Sequence, residues 1–276
     1  MSAGRGAVDP AQEPRPGFFA VLENALAAAE VEERPVAVLD LDAFDANLDA
    51  LVRRAGGIPV RIASKSVRVR ALMDRALTHP GVRGVLAYTL PEALHLAAGG
   101  IRDIVVAYPS VDARALRTLA ADDDARERIT VMVDEVAHLE LLRAITADVL
   151  PPGARLRVAL ELDVSYAPLP GVRFGALRSP CRTPEGLRGL AREVLDRPEL
   201  HLRGIMAYEG QIAGVGNAGR GPYPLAVRAM QALSAREIAH RRAAAVAAIR
   251  ELTELEFVNG GGTGSMETTA AEAAVT

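Results

Sequence analysis

The chain has 276 residues, half of them apolar, which is enough for one large domain or two medium ones around a substantial core. Lys plus Arg is 32 and Asp plus Glu is 35, a near balance that excludes a general field for nucleic acid or an anionic membrane. Cys181 is the one cysteine, so no intrachain disulfide can form, and the expected compartment is a reducing cytoplasm.

In chain order, residues 1–16 are rich in Gly, Pro and Ala with mixed charges, and they lack the apolar core of a signal peptide. They predict a solvated, disordered tail. From residue 17 onward, short β-branched runs alternate with longer Ala/Leu/Arg segments. The predicted strands are Val36–Leu41, Val60–Ala63, Gly84–Tyr88, Ile104–Tyr108, Ile129–Val133, Arg157–Leu162, Leu202–Tyr208 and Glu256–Val258. Several are nearly continuous apolar runs, as expected of strands buried on both faces of a parallel sheet. Between them, apolar residues recur at helical spacing, as in Phe44, Leu48, Leu51 and Val52; Ala226–Leu255 is the longest such stretch. No run reaches membrane-spanning length. The alternation predicts an α/β fold, and eight strand–helix units favour a (β/α)8 barrel, with function at the carboxyl ends of the strands.

Lysine usage singles out one residue. Of the 32 basic residues only Lys65 is a lysine, just past the second predicted strand. A guanidinium stays charged at all accessible pH, whereas an ammonium can lose its proton and attack a carbonyl. Composition alone leaves a chance survivor and a functional amine both open; the position at a strand end favours the amine. Tyr88, Tyr108 and Tyr208 close three other strands, either as plugs over the barrel mouth or as phenols facing a pocket. After the last strand comes NGGGTGS, Asn259–Ser265. Successive glycines leave backbone N–H groups free to converge on an anion, and Thr263 adds a hydroxyl, so the segment reads as a phosphate cradle or as a flexible tight turn.

Other motifs are weaker. Gly214–Gly219 satisfies G-x-G-x-x-G literally, but it starts beyond the strand end and GPYP follows, which predicts a mobile loop. Asp42 with Asp45 reads as a helix cap, and Asp122–Asp124 as a solvated charge run. Arg173 follows the sixth strand, where a planar cation could pair with a phenolate or a carboxylate; Asp163 could hold it or cap the loop. Gln211 could line the same mouth as Tyr208. The five histidines are scattered singly without ligand spacing, so no metal site is predicted within this chain.

Taken together, a lysine after an early strand, R-x-G at Arg173–Gly175, Y-x-G-polar at Tyr208–Gln211 and GGGTG at Gly260–Gly264 resemble the alanine-racemase-like (fold type III) pyridoxal-phosphate enzymes. The branch most similar is that of D-threonine aldolase and D-serine dehydratase, near actinobacterial proteins described as amino acid deaminase/aldolase. The resemblance runs from Val36 to the C-terminus. It implies that Lys65 forms the Schiff base with pyridoxal 5'-phosphate and that Arg173 contacts the phenolic oxygen. It further implies that Gly261, Gly262, Thr263 and Gly264 bind the phosphate, while Tyr208 and Gln211 border the cofactor. Around the lysine the chain has ASKSVR where aldolases and dehydratases usually carry histidines, so substrate chemistry does not carry over with the fold.

Members of that family continue for roughly a hundred residues into a β-rich domain. There the first strand, here Val36–Leu41, leaves the barrel and a later strand closes it. Residues 17–276 are thus expected to be the N-terminal barrel domain, incomplete at its C-terminal end, with any divalent-metal ligands in the absent domain. The implied activity is lysis of small D-amino acids by dehydration and deamination or by aldol cleavage, in a homodimer when full-length. Rival readings are an alanine-type racemase, a non-catalytic pyridoxal-phosphate carrier, and a barrel using Lys65 on a sugar phosphate without cofactor.

Overall fold

The computed structural model describes residues 17–276; the predicted tail lies outside them. Two compact units divide at Phe44/Asp45. The first contains α1 (Phe18–Ala28), none of whose residues is buried, and the start of α2 (Leu41–Arg54), which runs on into the second.

Val36–Leu41 is not a strand. Residues 36–40 have no ladder partner, and Leu41 opens α2. The physical reason is local: Val36, Val38 and Leu39 are exposed and find no second face, while Asp40 Oδ1 accepts the Ala43 N–H at 2.9 Å and caps the helix. The cap is therefore Asp40, not Asp42. Asp45 instead takes the Arg75 guanidinium, Nε to Oδ1 2.7 Å.

The second unit is built on seven parallel strands. In chain order its elements begin with β1 (Val60–Ala63), the single turn α3 (Ser64–Val67), α4 (Arg70–Leu77), β2 (Val82–Ala87), α5 (Leu90–Ala98) and β3 (Ile104–Val106). Next come α6 (Ala113–Ala121), α7 (Asp123–Arg128), β4 (Ile129–Val133), α8 (Val136–Thr146) and β5 (Leu156–Glu161). A hairpin that the sequence pattern did not reveal follows, β6 (Tyr166–Leu169) with β7 (Val172–Phe174). The chain continues through α9 (Pro184–Leu195), β8 (Leu200–Ala207), the short α10 (Gly210–Ala213), α11 (Pro222–Arg250), β9 (Phe257–Gly260) and α12 (Met266–Ala270).

Sheet order is β1-β2-β3-β4-β5-β8-β9, so chain neighbours are sheet neighbours and every pairing is parallel. Seven strands replace the predicted eight, in an α/β barrel of the (β/α)8 type that lacks one strand. The helices start where residue chemistry dictates. Thr89, Asp112 and Thr183 each accept an N–H from the first turn of α5, α6 and α9, and Pro184 occupies a first-turn position where no donor is lost. Likewise α11 opens at Pro222, four residues before the predicted start.

One side chain from each of β3, β4, β5, β8 and β9 enters a single buried cluster: Val105, Met132, Ala159, Met206 and Phe257, with Leu86 of β2 packed on it. On β1 the Arg61 guanidinium lies 5.4 Å over the Phe257 ring, so the two edge strands face one another across this core. The sheet curls, and the carboxyl ends of β1 and β9 come to share one cavity.

Candidate active site

That cavity has a volume of about 450 Å³. Lys65 and Ser66 line it from one side; Asn259, Gly261, Gly262 and Thr263 line it from the other. Tyr88, Tyr108, Tyr208 and Arg178 supply further wall. The cavity therefore joins the single lysine to the triple-glycine turn.

Lys65 is placed by its neighbour. Ser64 is fully buried at the start of α3, and its Oγ donates to Glu92 Oε2 at 2.9 Å. The same carboxylate oxygen accepts the Tyr88 N–H at 2.7 Å, which ties the lysine turn to the end of β2. Lys65 itself is exposed toward the cavity. Tyr88 and Tyr108 meet edge to face, with ring centroids 5.6 Å apart.

The glycine turn is held from behind. Glu209, directly after Tyr208, is 1 % exposed. Its Oε2 accepts the Gly261 N–H at 3.2 Å and the Arg242 Nη2 at 2.7 Å. Its Oε1 accepts the Ser265 hydroxyl at 2.7 Å and also that of Thr269. Ser265 Oγ in turn accepts the Gly262 N–H at 3.1 Å. Two of the turn's amides are thus already used for its own shape, while those of Thr263 and Gly264 make no hydrogen bond among the described residues. Gly261 has φ +81°, a left-handed conformation that side chains rarely adopt. At Gly264 a Cβ would come within 2.6 Å of the Ala213 oxygen. From the far side Arg54 donates to the Thr263 carbonyl and to Glu267 Oε1, each at 2.5 Å; this hydrogen bond holds the Glu267 carboxyl down at about 2.

Two arginines line the cavity: Arg61, which pairs with Asp103 at 2.9 Å, and Arg178. The Arg178 guanidinium carbon lies 5.0 Å from the Tyr108 ring centroid and 5.3 Å from that of Tyr208, and its Nε donates to Glu161. Glu161 is 2 % exposed at the end of β5. Burial pushes its carboxyl up to about 7, against the opposing pull of Arg178. Burial also raises the Tyr208 phenol, reinforced by the Glu209 charge.

Arg173 and Gln211 do not line the cavity. Arg173, on β7, donates Nη2 to Asp163 Oδ2 at 2.9 Å and to Ser165 Oγ at 3.0 Å. Gln211 is buried, with Nε2 donating to Val164 O and Ser234 Oγ, each at 2.9 Å. The 214–219 loop is fastened rather than free: Asn217 Nδ2 donates to Gln231 Oε1 at 2.7 Å, and Arg228 Nη1 donates to the Asn217 oxygen at 2.9 Å.

Sequence reasoning missed Glu92, Arg178, Glu161, Glu209 and Arg242. For Arg242 a signal existed. It falls on the buried stripe Ile238, Arg242, Ala245, Val246 and Ile249 of α11, where a lone cation must have a partner.

The sequence pattern of the family described as "Alanine racemase, N-terminal domain" matches residues 39–260. The chain belongs to this family. A 3-hydroxy-D-aspartate aldolase from Paracoccus denitrificans is 31% identical over 238 residues, covering 84% of this chain and 55% of that one. A D-threonine aldolase from Arthrobacter sp is 29% identical over 248 residues, covering 88% and 59%. The chain therefore spans little more than half the length of the curated relatives it matches. Among solved structures, the D-threonine aldolase from Filomicrobium marinum superposes with a TM-score of 0.69 at 22% identity, over 87% of this chain and 60% of that one. Alanine racemase from E. faecalis gives 0.57 at 19%, over 81% and 53%. These two likenesses establish the alanine-racemase fold and no more.

Two outcomes follow from the site's wiring. Glu209→Ala leaves Arg242 with one of its two carboxylate partners gone in a fully buried position, and should cost about 3–5 kcal/mol in urea unfolding. The double variant with Arg242→Met should lose less than the sum of the two singles. Glu161 binds its proton more tightly folded than unfolded, so its contribution is present below its ordinary value of 4.5 and is lost as pH rises to about 7. Thermal midpoints measured across pH 4–8 should therefore fall more steeply in the native chain than in Glu161→Gln.

Proposed function

We propose that this chain binds pyridoxal 5'-phosphate through Lys65 and is the cofactor-binding part of a lyase acting on small D-amino acids that carry a β-hydroxyl. The observation that carries the reading is the shared cavity: one amine and one glycine turn, from the first and last strands of the sheet, on the same wall-to-wall space. The residues present fit the cofactor. The free amides of Thr263 and Gly264, with the Thr263 hydroxyl, suit a phosphate monoester. At Gly262 a Cβ would approach Ala213 Cβ to 3.0 Å and the Tyr208 ring to 3.3 Å, so the absence of a side chain lets the turn pack closely against α10 and Tyr208.

Lys65 is assigned the covalent hold on the cofactor's aldehyde carbon and, once freed from it, the removal of a proton at the substrate Cα. When bound, pyridoxal phosphate supplies the electron sink for the bond broken at Cα. Arg178, rather than Arg173, is an arginine in position to meet an anionic oxygen inside the cavity, with Glu161 and the two tyrosine rings fixing its plane. In this reading Tyr208 borders the ring of the cofactor, whereas Arg173 and Gln211 support the segment beneath it. The β-hydroxy substrate class is supported by the relatives, a 3-hydroxy-D-aspartate aldolase and a D-threonine aldolase. We extend the proposal to a cytoplasmic homodimer for the full-length protein.

Added pyridoxal phosphate should give the native chain a visible absorbance band that Lys65→Ala lacks, and loss of D-threonine, D-serine or 3-hydroxyaspartate should depend on that residue. Retention of the band in Lys65→Ala rejects the assignment. Chiral turnover of alanine without cleavage of the β-hydroxy substrates would instead mean a racemase.

A further inference from the structure

The cavity that joins Lys65 to the glycine turn has three cations in its wall, Arg61, Lys65 and Arg178, and no aspartate or glutamate among the described residues. Such a wall favours anionic ligands. Two of the three cations are already committed. Arg61 donates to the Asp103 carbonyl at 2.7 Å and to its carboxylate at 2.9 Å, and it lies over Phe257. Lys65 is assigned to the cofactor's aldehyde carbon. Arg178 differs from both. Its Nε donates to Glu161, but neither terminal nitrogen makes a hydrogen bond among the described residues.

The guanidinium is nevertheless held still. Glu161 grips Nε from behind, and the Tyr108 and Tyr208 rings lie against the group. Ser179, next in the chain, is buried and donates Oγ to the Glu161 carbonyl at 2.9 Å, which fastens the segment to the end of β5. Just before Arg178, Leu177 has φ +52°, a left-handed conformation that a leucine rarely adopts. The Leu177 side chain is exposed, so its own packing does not account for the turn. The strained turn serves what it delivers, and that is Arg178 at the cavity wall. Nor is the charge fully neutralised from behind. Burial lifts the Glu161 carboxyl to about 7, and its Oε2 is buried without a hydrogen-bond partner.

We propose that the free edge of Arg178 binds the carboxylate of the amino acid substrate and so determines specificity for amino acids over simple amines. The inference rests on the reading of Lys65 as the cofactor's lysine and deepens it. A guanidinium fork offers two parallel N–H donors matched to the two oxygens of a carboxylate. The amides of Thr263 and Gly264 already serve a phosphate, and a single phenolate oxygen would use only part of the fork. Because Arg178 is ordered before the ligand arrives, little further entropy is lost on binding. A carboxylate fixed at this wall also orients the substituents of Cα, and orientation selects the bond that breaks.

The test compares D-alanine with ethylamine, the same amine without its carboxylate. Neither carries a β-hydroxyl to lose. The 276-residue chain loaded with pyridoxal phosphate is titrated with each while the visible band is followed. The native chain should respond to D-alanine at far lower concentration than to ethylamine. Arg178→Gln should keep the band, raise the half-saturating D-alanine concentration about tenfold or more, and leave that of ethylamine unchanged. Arg178→Lys keeps the charge without the fork and should lose a smaller part of the preference. No band in the native chain overturns the Lys65 reading and this inference with it. A native band with equal response to the two ligands overturns this inference alone. So does an Arg178→Gln chain that keeps the full preference for D-alanine, and so does loss of the band in both Arg178 variants, which would put the residue on the cofactor instead.

Discussion

The arrangement at the barrel mouth depends on one buried ion pair. Arg242 is completely buried, and Glu209 meets it at 2.7 Å with 2% of its own side chain exposed. Neither charge can be left alone there, so each fixes the other and everything bonded to it. Glu209 spends its remaining acceptor capacity on Gly261, Ser265 and Thr269. Arg242 also donates to the Ala207 oxygen at the end of β8 and pairs with Glu272. A turn of glycines has the highest conformational entropy in the chain. This pair removes that freedom by gripping the turn from inside while leaving the outward amides of Thr263 and Gly264 for a ligand.

Sheet order imposes the other condition. Lys65 follows β1 and the glycine turn follows β9, the two edges of the seven-stranded sheet. In a flat sheet they would be its most distant points. Curling brings them together, and the contacts that join the edges are cationic. Arg61 lies over Phe257, and Arg54 reaches both Thr263 and Glu267. The arginine bias of the sequence acquires a structural meaning here, since a guanidinium can stack on a ring and donate several hydrogen bonds at once.

What could be read in the sequence was what short-range chemistry determines. Val60–Ala63 and Ile129–Val133 are legible to the residue, because an apolar β-branched run bounded by turn formers has few alternatives. Lys65 and Gly261–Thr263 were legible because each is unusual on its own. Long-range pairing was not. Arg242 lies 33 residues from Glu209; its place on the buried stripe of α11 calls for a partner but does not say which one. The β6–β7 hairpin was hidden because its strands are only four and three residues long and largely exposed. Its insertion separates Arg173 from the cavity and leaves Arg178 there. Val36–Leu41 misled for the opposite reason: β-branched residues signalled a strand, but a capping Asp40 and an exposed surface favoured a helix start.

The central claim is that the one lysine reacts with a carbonyl held at the glycine turn. The most direct measurement is borohydride reduction of the chain after incubation with pyridoxal phosphate, followed by mass mapping of the peptides. Lys65 and the α-amino group are the two amines available, so the outcome is unambiguous. The account predicts a single reduced adduct on the Lys65 peptide, competed by inorganic phosphate. Labelling of the α-amino group alone, or equal labelling of both sites insensitive to phosphate, would contradict it.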